Sequence, residues 1–251
     1  MQRYFIELLK EEMNSRFFIT GDVTHHISRV MRMKPSDELI CCSKDGYTAK
    51  CVIEKISSEQ VECTVLEWLE NSNELPVEVV VASGLPKGDK LELIIQKGTE
   101  LGASAFIPFN AARSVVKLDE KKAAKKRARW EKIAKEAAEQ SHRNQIPAVH
   151  SPLSFKQMIQ RANSADVKIV AYEEVAKAGE MSNLQKALCA TKRDQTIFVV
   201  FGPEGGLTEE EIHQLKEVGF ITCGLGPRIL RTETAPLYLL SAVSYQFELM
   251  R

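Results

Sequence analysis

The stretch Thr196-Ile197-Phe198-Val199-Val200-Phe201-Gly202-Pro203-Glu204-Gly205-Gly206-Leu207-Thr208 carries the reading of this chain. A continuous β-branched and aromatic run that ends in Gly and Pro is a strand buried on both faces and closed by a tight loop. The pattern recurs downstream, where Ile221-Thr222-Cys223-Gly224-Leu225-Gly226 leads into Pro227-Arg228-Ile229-Leu230-Arg231-Thr232-Glu233-Thr234-Ala235. Glycines at strand ends let the backbone take φ > 0 and approach a ligand closely. Ligands of open α/β sheets bind at the carboxyl ends of strands. Two such loops, joined by one short helix, read as two sides of a single ligand site.

The first loop is neither a G-x-x-x-x-G-K-[ST] phosphate loop nor a G-x-G-x-x-G dinucleotide fingerprint, and no Lys follows its glycines. A nucleoside without a triphosphate suits it better, read by backbone N–H and C=O groups; the alternative is an ordinary strand-to-helix turn. Glu204 is expected to hold the loop by bonding a backbone amide rather than to point into the site. In the second loop the five-donor fork of Arg231 suits a pyrimidine edge or a phosphate. Against that stands a surface ion pair of Arg228 or Arg231 with Glu233 or Glu204. Thr232 and Thr234 read as caps for the last helix.

The 251 residues carry 34 basic and 34 acidic side chains, so RNA affinity would need an uneven charge distribution. Such a concentration lies at Lys117 to Lys135, which holds nine Lys or Arg against three acids. Arg127, Arg129 and Trp130 would there meet phosphates and a base, unless the stretch is only a solvated helix face. Gln140 and Arg143 fall close together by helical spacing and, with Arg113, are further candidates for RNA contact. Six cysteines without a C-x-x-C pair argue against structural zinc and a disulfide framework, and for reduced thiols in a cytoplasm. His25-His26 lacks the spaced partners of a metal site. No run approaches the ~20 apolar residues of a membrane span.

Alternating patterns divide the chain into a β-rich part, residues 1–72, and an α/β part with a largely parallel sheet, residues 73–251. In the first, Glu38–Ser43 and Tyr47–Ile56 form a hairpin about Asp45-Gly46, Val61–Trp68 a third strand, and Val23–Arg32 a short helix capped by Asp22 or Thr24. In the second, strands are expected at 77–82, 105–109, 167–172, 196–201 and 220–225. Helices are expected at 89–101, with Asp89 as cap, and at 119–142. A capping box starts another at Thr208, and the last begins near Thr234.

The combination of GPEGGLT and LGPRILRTETA with Lys97-Gly98-Thr99-Glu100-Leu101-Gly102-Ala103, Arg113-Ser114-Val115-Val116, Glu139-Gln140-Ser141-His142-Arg143 and His26-Ile27-Ser28-Arg29-Val30-Met31-Arg32 resembles the bacterial 16S ribosomal RNA (uridine-N3)-methyltransferase family. That family belongs to the knotted SPOUT methyltransferases, and the resemblance covers nearly the whole chain. It implies an α/β fold with a trefoil knot behind a small PUA-like β-barrel that binds RNA. It also implies S-adenosylmethionine as cofactor, 16S rRNA within the small ribosomal subunit as substrate, a cytoplasmic location, a homodimer and no metal. By resemblance the cofactor would be held by Tyr172, Phe201, Gly202, Pro203, Glu204, Gly205, Gly206, Leu225, Gly226, Ile229, Leu230, Thr234 and Ala235, with Ile229 and Leu230 on the adenine. Arg231 would be catalytic, with Arg113 or Arg143 as alternatives, and RNA would meet Arg113, Arg127, Arg129, Gln140, Arg143, Arg29 and Arg32. The base that removes the uridine N3 proton stays open among Glu204, Glu233, His142 and hydroxide. Two other readings stay open: ribose 2′-O methylation by a related knotted protein, and a non-catalytic RNA-binding assembly factor.

Overall fold

The computed structural model describes residues 1–13, 16–70, 72–177, 179 and 182–250. The chain groups into two compact units, Met1–Glu74 with Ala138–Gln145, and Leu75–Ala137 with Ile146–Arg251.

The first unit is a half-barrel of β1 (Arg3–Phe5), β2 (Arg16–Thr20), β3 (Glu38–Cys42), β4 (Thr48–Ile56) and β5 (Gln60–Leu69), with α1 (Asp22–His25) running on through a π turn at His26–Val30. Strand order is β1-β3-β4-β5-β2, parallel only between β1 and β3. Alternation sets the faces: in β2, Phe17 and Ile19 are buried while Arg16, Phe18 and Thr20 face solvent. The core joins these to Tyr4, Ile27, Leu39, Ile53 and the thiols of Cys41, Cys51 and Cys63. The expected hairpin and third strand are present, and Gly46 turns the hairpin with φ +86°. The helix start differs from expectation. Gly21, at φ +74°, occupies the cap position, and Thr24 is buried with its hydroxyl donating to Ile19 O at 2.9 Å.

Ala138–Gln145 belongs to this unit because its polar groups are met there. One carboxylate, Glu74, accepts from the guanidinium of Arg143 and from the backbone N–H of Asn144 (2.7 Å) and Gln145 (3.2 Å). Asn144 Nδ2 donates to Thr48 Oγ1 at 2.9 Å, and Arg3 Nη1 to Arg143 O at 2.7 Å.

The second unit alternates β6 (Glu78–Gly84), α2 (Lys90–Glu100), β7 (Ala105–Asn110), α3 (Glu120–Gln140), β8 (Ala148–Val149), β9 (Leu153–Ser154), α4 (Phe155–Arg161), β10 (Val167–Ala171), α5 (Glu173–Lys177), α6 (Asn183–Ala190), β11 (Thr196–Phe201), α7 (Glu209–Glu217), β12 (Ile221–Cys223) and α8 (Thr234–Ser244). All its strand pairings are parallel, in the order β12-β10-β11-β6-β7-β8, with β9 also on β7. β11 lies inside the sheet between β10 and β6, which is why it is apolar without alternation. Ile197, Val199 and Phe201 join Ile94, Ile95, Leu239 and Leu240 of α2 and α8; Phe198 and Val200 join Met158, Ile212 and Leu215 of α4 and α7. Asp89 precedes α2 as expected, but its side chain makes no capping bond. Among the described residues no helix is long and apolar enough to cross a membrane.

Candidate active site

β10, β11 and β12 end on the same side of the parallel sheet, and their following segments enclose a cleft of about 860 Å³. Its lining includes Tyr172, Phe201, Gly202, Pro203, Glu204, Gly205, Gly206, Leu225, Gly226, Ile229, Leu230, Arg231 and Ala235, together with Arg113. The two glycine loops thus meet across one cavity. Thr234 is outside that lining; its backbone N–H donates to Arg231 O at 2.9 Å, and the last helix is preceded by Glu233 without a side-chain cap.

The first loop is compact because its glycines let backbone lie on backbone. A Cβ on Gly202 would come 3.0 Å from Gly206 C and 3.1 Å from Leu207 N, and Gly206 itself has φ +70°. Gly205 does not need a positive φ. Its constraint is Arg113, whose Cβ would be 3.0 Å from an added methyl and whose Nη1 donates to Gly205 O at 3.0 Å. The capping box at Thr208 forms as read, and its Glu211 has a second task. Glu211 Oε2 accepts from Thr208 N (2.9 Å) while Oε1 accepts from Ala112 N (2.8 Å), so the buried carboxylate fixes the segment that carries Arg113.

Glu204 holds the loop as expected, accepting from the backbone N–H of Lys87 at 3.1 Å and from Lys90 Nζ at 2.9 Å. Burial pushes its carboxyl upward, but the Lys90 bond and two backbone N–H bonds outweigh it and hold Glu204 below the usual carboxylate range. Glu233 also faces Lys90, at 3.6 Å, so neither acid pairs with Arg228 or Arg231 among the described residues. Arg231 is exposed at the cleft, and Ile229 beside it is 75% exposed although apolar.

The remaining basic candidates do not gather at this cleft. Arg113 lines it but is committed to the carbonyls of Gly205 and, at 3.5 Å, Leu207. On α3, Arg127 pairs with Glu131 (2.8 Å) and Arg129 with Glu92 (2.6 Å), both guanidinium groups being well exposed. Trp130 is only 2% exposed and packs in the core, so the expectation that it meets a base is corrected: its spacing places it on the buried stripe of α3. Arg29, Arg32 and Gln140 are exposed and belong to the first unit, as does His142. Arg143 is corrected too. The helix ends at Gln140, His142 takes φ +59°, and Arg143 is buried on Glu74 rather than displayed beside Gln140. Sequence reasoning missed Lys90, Glu173, Glu174 and Glu209 in the cleft lining. The signal for Lys90 was its place just after a strand and a glycine, but only the pairing of β6 with β11 brings that turn to the loop.

Residues 73–244 match the model of an RNA methyltransferase domain, and residues 19–66 that of an RNA methyltransferase PUA domain. The chain is 60% identical to the ribosomal RNA small subunit methyltransferase E of Bacillus subtilis, over all of this chain and 99% of that one. The chain belongs to the ribosomal RNA small subunit methyltransferase E family. The crystal structure of a family member from Neisseria gonorrhoeae bound to S-adenosyl methionine superposes with a TM-score of 0.85 at 28% identity, over 98% of each chain. A putative methyltransferase from Legionella pneumophila, also with bound SAM, superposes at 0.83 and 29% identity over 97% of each. Within this methyltransferase E family chain the cleft suits such a nucleoside sulfonium. It joins bare backbone at Gly202–Gly206 with the unburied apolar side chain of Ile229 and the half-buried Leu230.

Proposed function

We propose that this chain transfers the methyl group of S-adenosylmethionine to N3 of a uridine in the 16S rRNA of the small ribosomal subunit, in the cytoplasm. The observation that supports it most directly is the cleft between the Gly202–Gly206 and Gly226–Arg231 loops, in a chain 60% identical over its full length to a ribosomal RNA small subunit methyltransferase E. The bound cofactor supplies a methyl group already activated by its sulfonium, so the protein's work is orientation and charge.

In this reading Gly202–Gly206 and Leu225–Gly226 offer backbone donors and acceptors to the nucleoside edge, and Ile229 and Leu230 cover the adenine. Tyr172 and Ala235 complete the wall. Uracil N3 carries a proton, and its loss to solvent shifts negative charge to O2 and O4. The Arg231 fork, unpaired with any carboxylate among the described residues, meets that charge. Arg113 serves as a buttress of the glycine loop. N3 lies on the pairing edge, so the uridine must be unpaired or turned out, at a cost of a few kcal/mol. Exposed Arg29, Arg32, Arg127 and Arg129 would offset this through phosphate contacts. We further propose the family's trefoil knot and a homodimer, the latter supported by Tyr238, Tyr245 and Leu249, which leave α8 and the turn after it exposed and apolar.

Titration calorimetry of the folded chain with S-adenosylhomocysteine tests the cofactor site without RNA. Binding in the micromolar range is expected, and Gly205→Val should abolish it by displacing Arg113. Unchanged affinity in the variant would show that the loop is only a turn.

A further inference from the structure

The side chain of Lys90 reaches both loops of the cleft. Its Nζ donates to Glu204 Oε1 of the first loop at 2.9 Å and lies 3.6 Å from Glu233 Oε2 of the second. The first contact is a hydrogen bond and the second is slightly too long for one. Glu233 Oε2 is buried and has no hydrogen-bond partner among the described residues. A buried carboxylate oxygen without a hydrogen bond is costly, and the ammonium that would satisfy it is 3.6 Å away, a few tenths of an ångström beyond hydrogen-bond reach. Lys90 itself lines the cleft and is about one-third exposed. Its position is set from the other direction by α2, whose first residue it is, and by Lys87 N–H on the same Glu204 oxygen.

We propose that Lys90 is a positioning residue, an ammonium latch that ties the two loops together and completes its bond to Glu233 when a ligand fills the cleft. The inference rests on the cofactor reading of that cleft. Each acid anchors a separate loop: Glu204 lies among the glycines, and Glu233 is two residues after Arg231, whose carbonyl accepts from Thr234 and Ala235 N–H. Closing the latch draws the Ile229–Arg231 segment toward Gly202–Gly206, so affinity for the cofactor and placement of Arg231 both depend on it. The bond to Glu204, opposed by a smaller desolvation, raises the Lys90 pKa further above its ordinary value, so the ammonium is charged at neutral pH with or without the contact.

The test is calorimetric binding of S-adenosylhomocysteine to the full chain and to Lys90→Met, Lys90→Arg, Glu233→Gln and the Lys90→Met/Glu233→Gln double variant. Lys90→Met and Glu233→Gln should each weaken binding about tenfold, the double variant should be no weaker than Lys90→Met, and Lys90→Arg should recover most of the affinity, as coupled partners do. The KM for RNA should stay as in the unaltered chain while that for S-adenosylmethionine rises. Additive losses in the double variant, or unchanged affinity in a folded Lys90→Met, would overturn the latch. If the unaltered chain binds nothing, the cofactor reading itself fails; if it binds and the variants bind as tightly as it does, the latch alone fails. Should Lys90→Met not fold, the Glu233→Gln and Lys90→Arg affinities decide: unchanged binding in Glu233→Gln contradicts the proposal.

Discussion

At the scale of single residues, the cleft separates groups that hold the loops from a group left facing solvent. Glu204, Glu211 and Arg113 each hydrogen-bond backbone that shapes the loops. Arg231 does not, among the described residues. Arg231→Ala should therefore leave S-adenosylhomocysteine affinity within a few-fold while slowing methyl transfer by ~10²–10³, the usual cost of losing one donor to developing charge. Lysine should restore little, since a point charge does not reproduce a planar fork. Single-turnover transfer to under-methylated small subunits measures the step apart from product release. Normal turnover would move the role to another cation, and loss of cofactor binding would place Arg231 on the cofactor side. The glycines were legible in the sequence because turn chemistry is local; a backbone bond for Glu204 was expected as well, but its partner Lys87 N–H, 117 residues away, was not legible. The Arg113 bond to Gly205 was not, because 92 residues separate its partners and nothing in either segment marks the other.

At the scale of elements, strand and helix types followed from periodicity, most clearly for β11 and for the Thr208 capping box of α7. Short pieces such as β1, β8 and β9 were missed because two or three residues carry no period. The end of α3 misled for a different reason. Helical spacing was carried past Gln140 into Arg143, where the chain has already turned at His142 and buried the guanidinium. A structural task for that arginine has a measurable consequence. Glu74→Ala would remove a carboxylate paired with Arg143, 4% exposed, and the acceptor of two backbone N–H groups. Breaking one side of such a buried pair costs about 3–5 kcal/mol, so chemical denaturation should show a loss of that order. A change below about 0.5 kcal/mol, the range of ordinary surface substitutions, would show that the pair is not structural.

At the scale of the whole molecule, the division into a β-rich and an α/β part was legible in the change from hairpins to alternating elements. The return of Ala138–Gln145 to the first unit was not, because it depends on Glu74, Thr48 and Arg3 meeting groups far away in sequence. Ile94, Ile95, Leu239 and Leu240 share one core cluster, so α2 and α8 are neighbours although they lie at opposite ends of the second unit's sequence. The proposed homodimer would cover the exposed Tyr238, Tyr245 and Leu249, and light scattering at micromolar concentration should give the mass of a dimer. A mass equal to one 28.2 kDa chain would refute this. The central claim concerns chemistry, and one measurement reaches it directly. The purified chain is incubated with methyl-labelled S-adenosylmethionine and small ribosomal subunits from cells lacking the gene, and the 16S rRNA is digested to nucleosides for mass spectrometry. Labelled 3-methyluridine is the expected product. Label on a ribose 2′-oxygen, or no label in any nucleoside, would contradict the account.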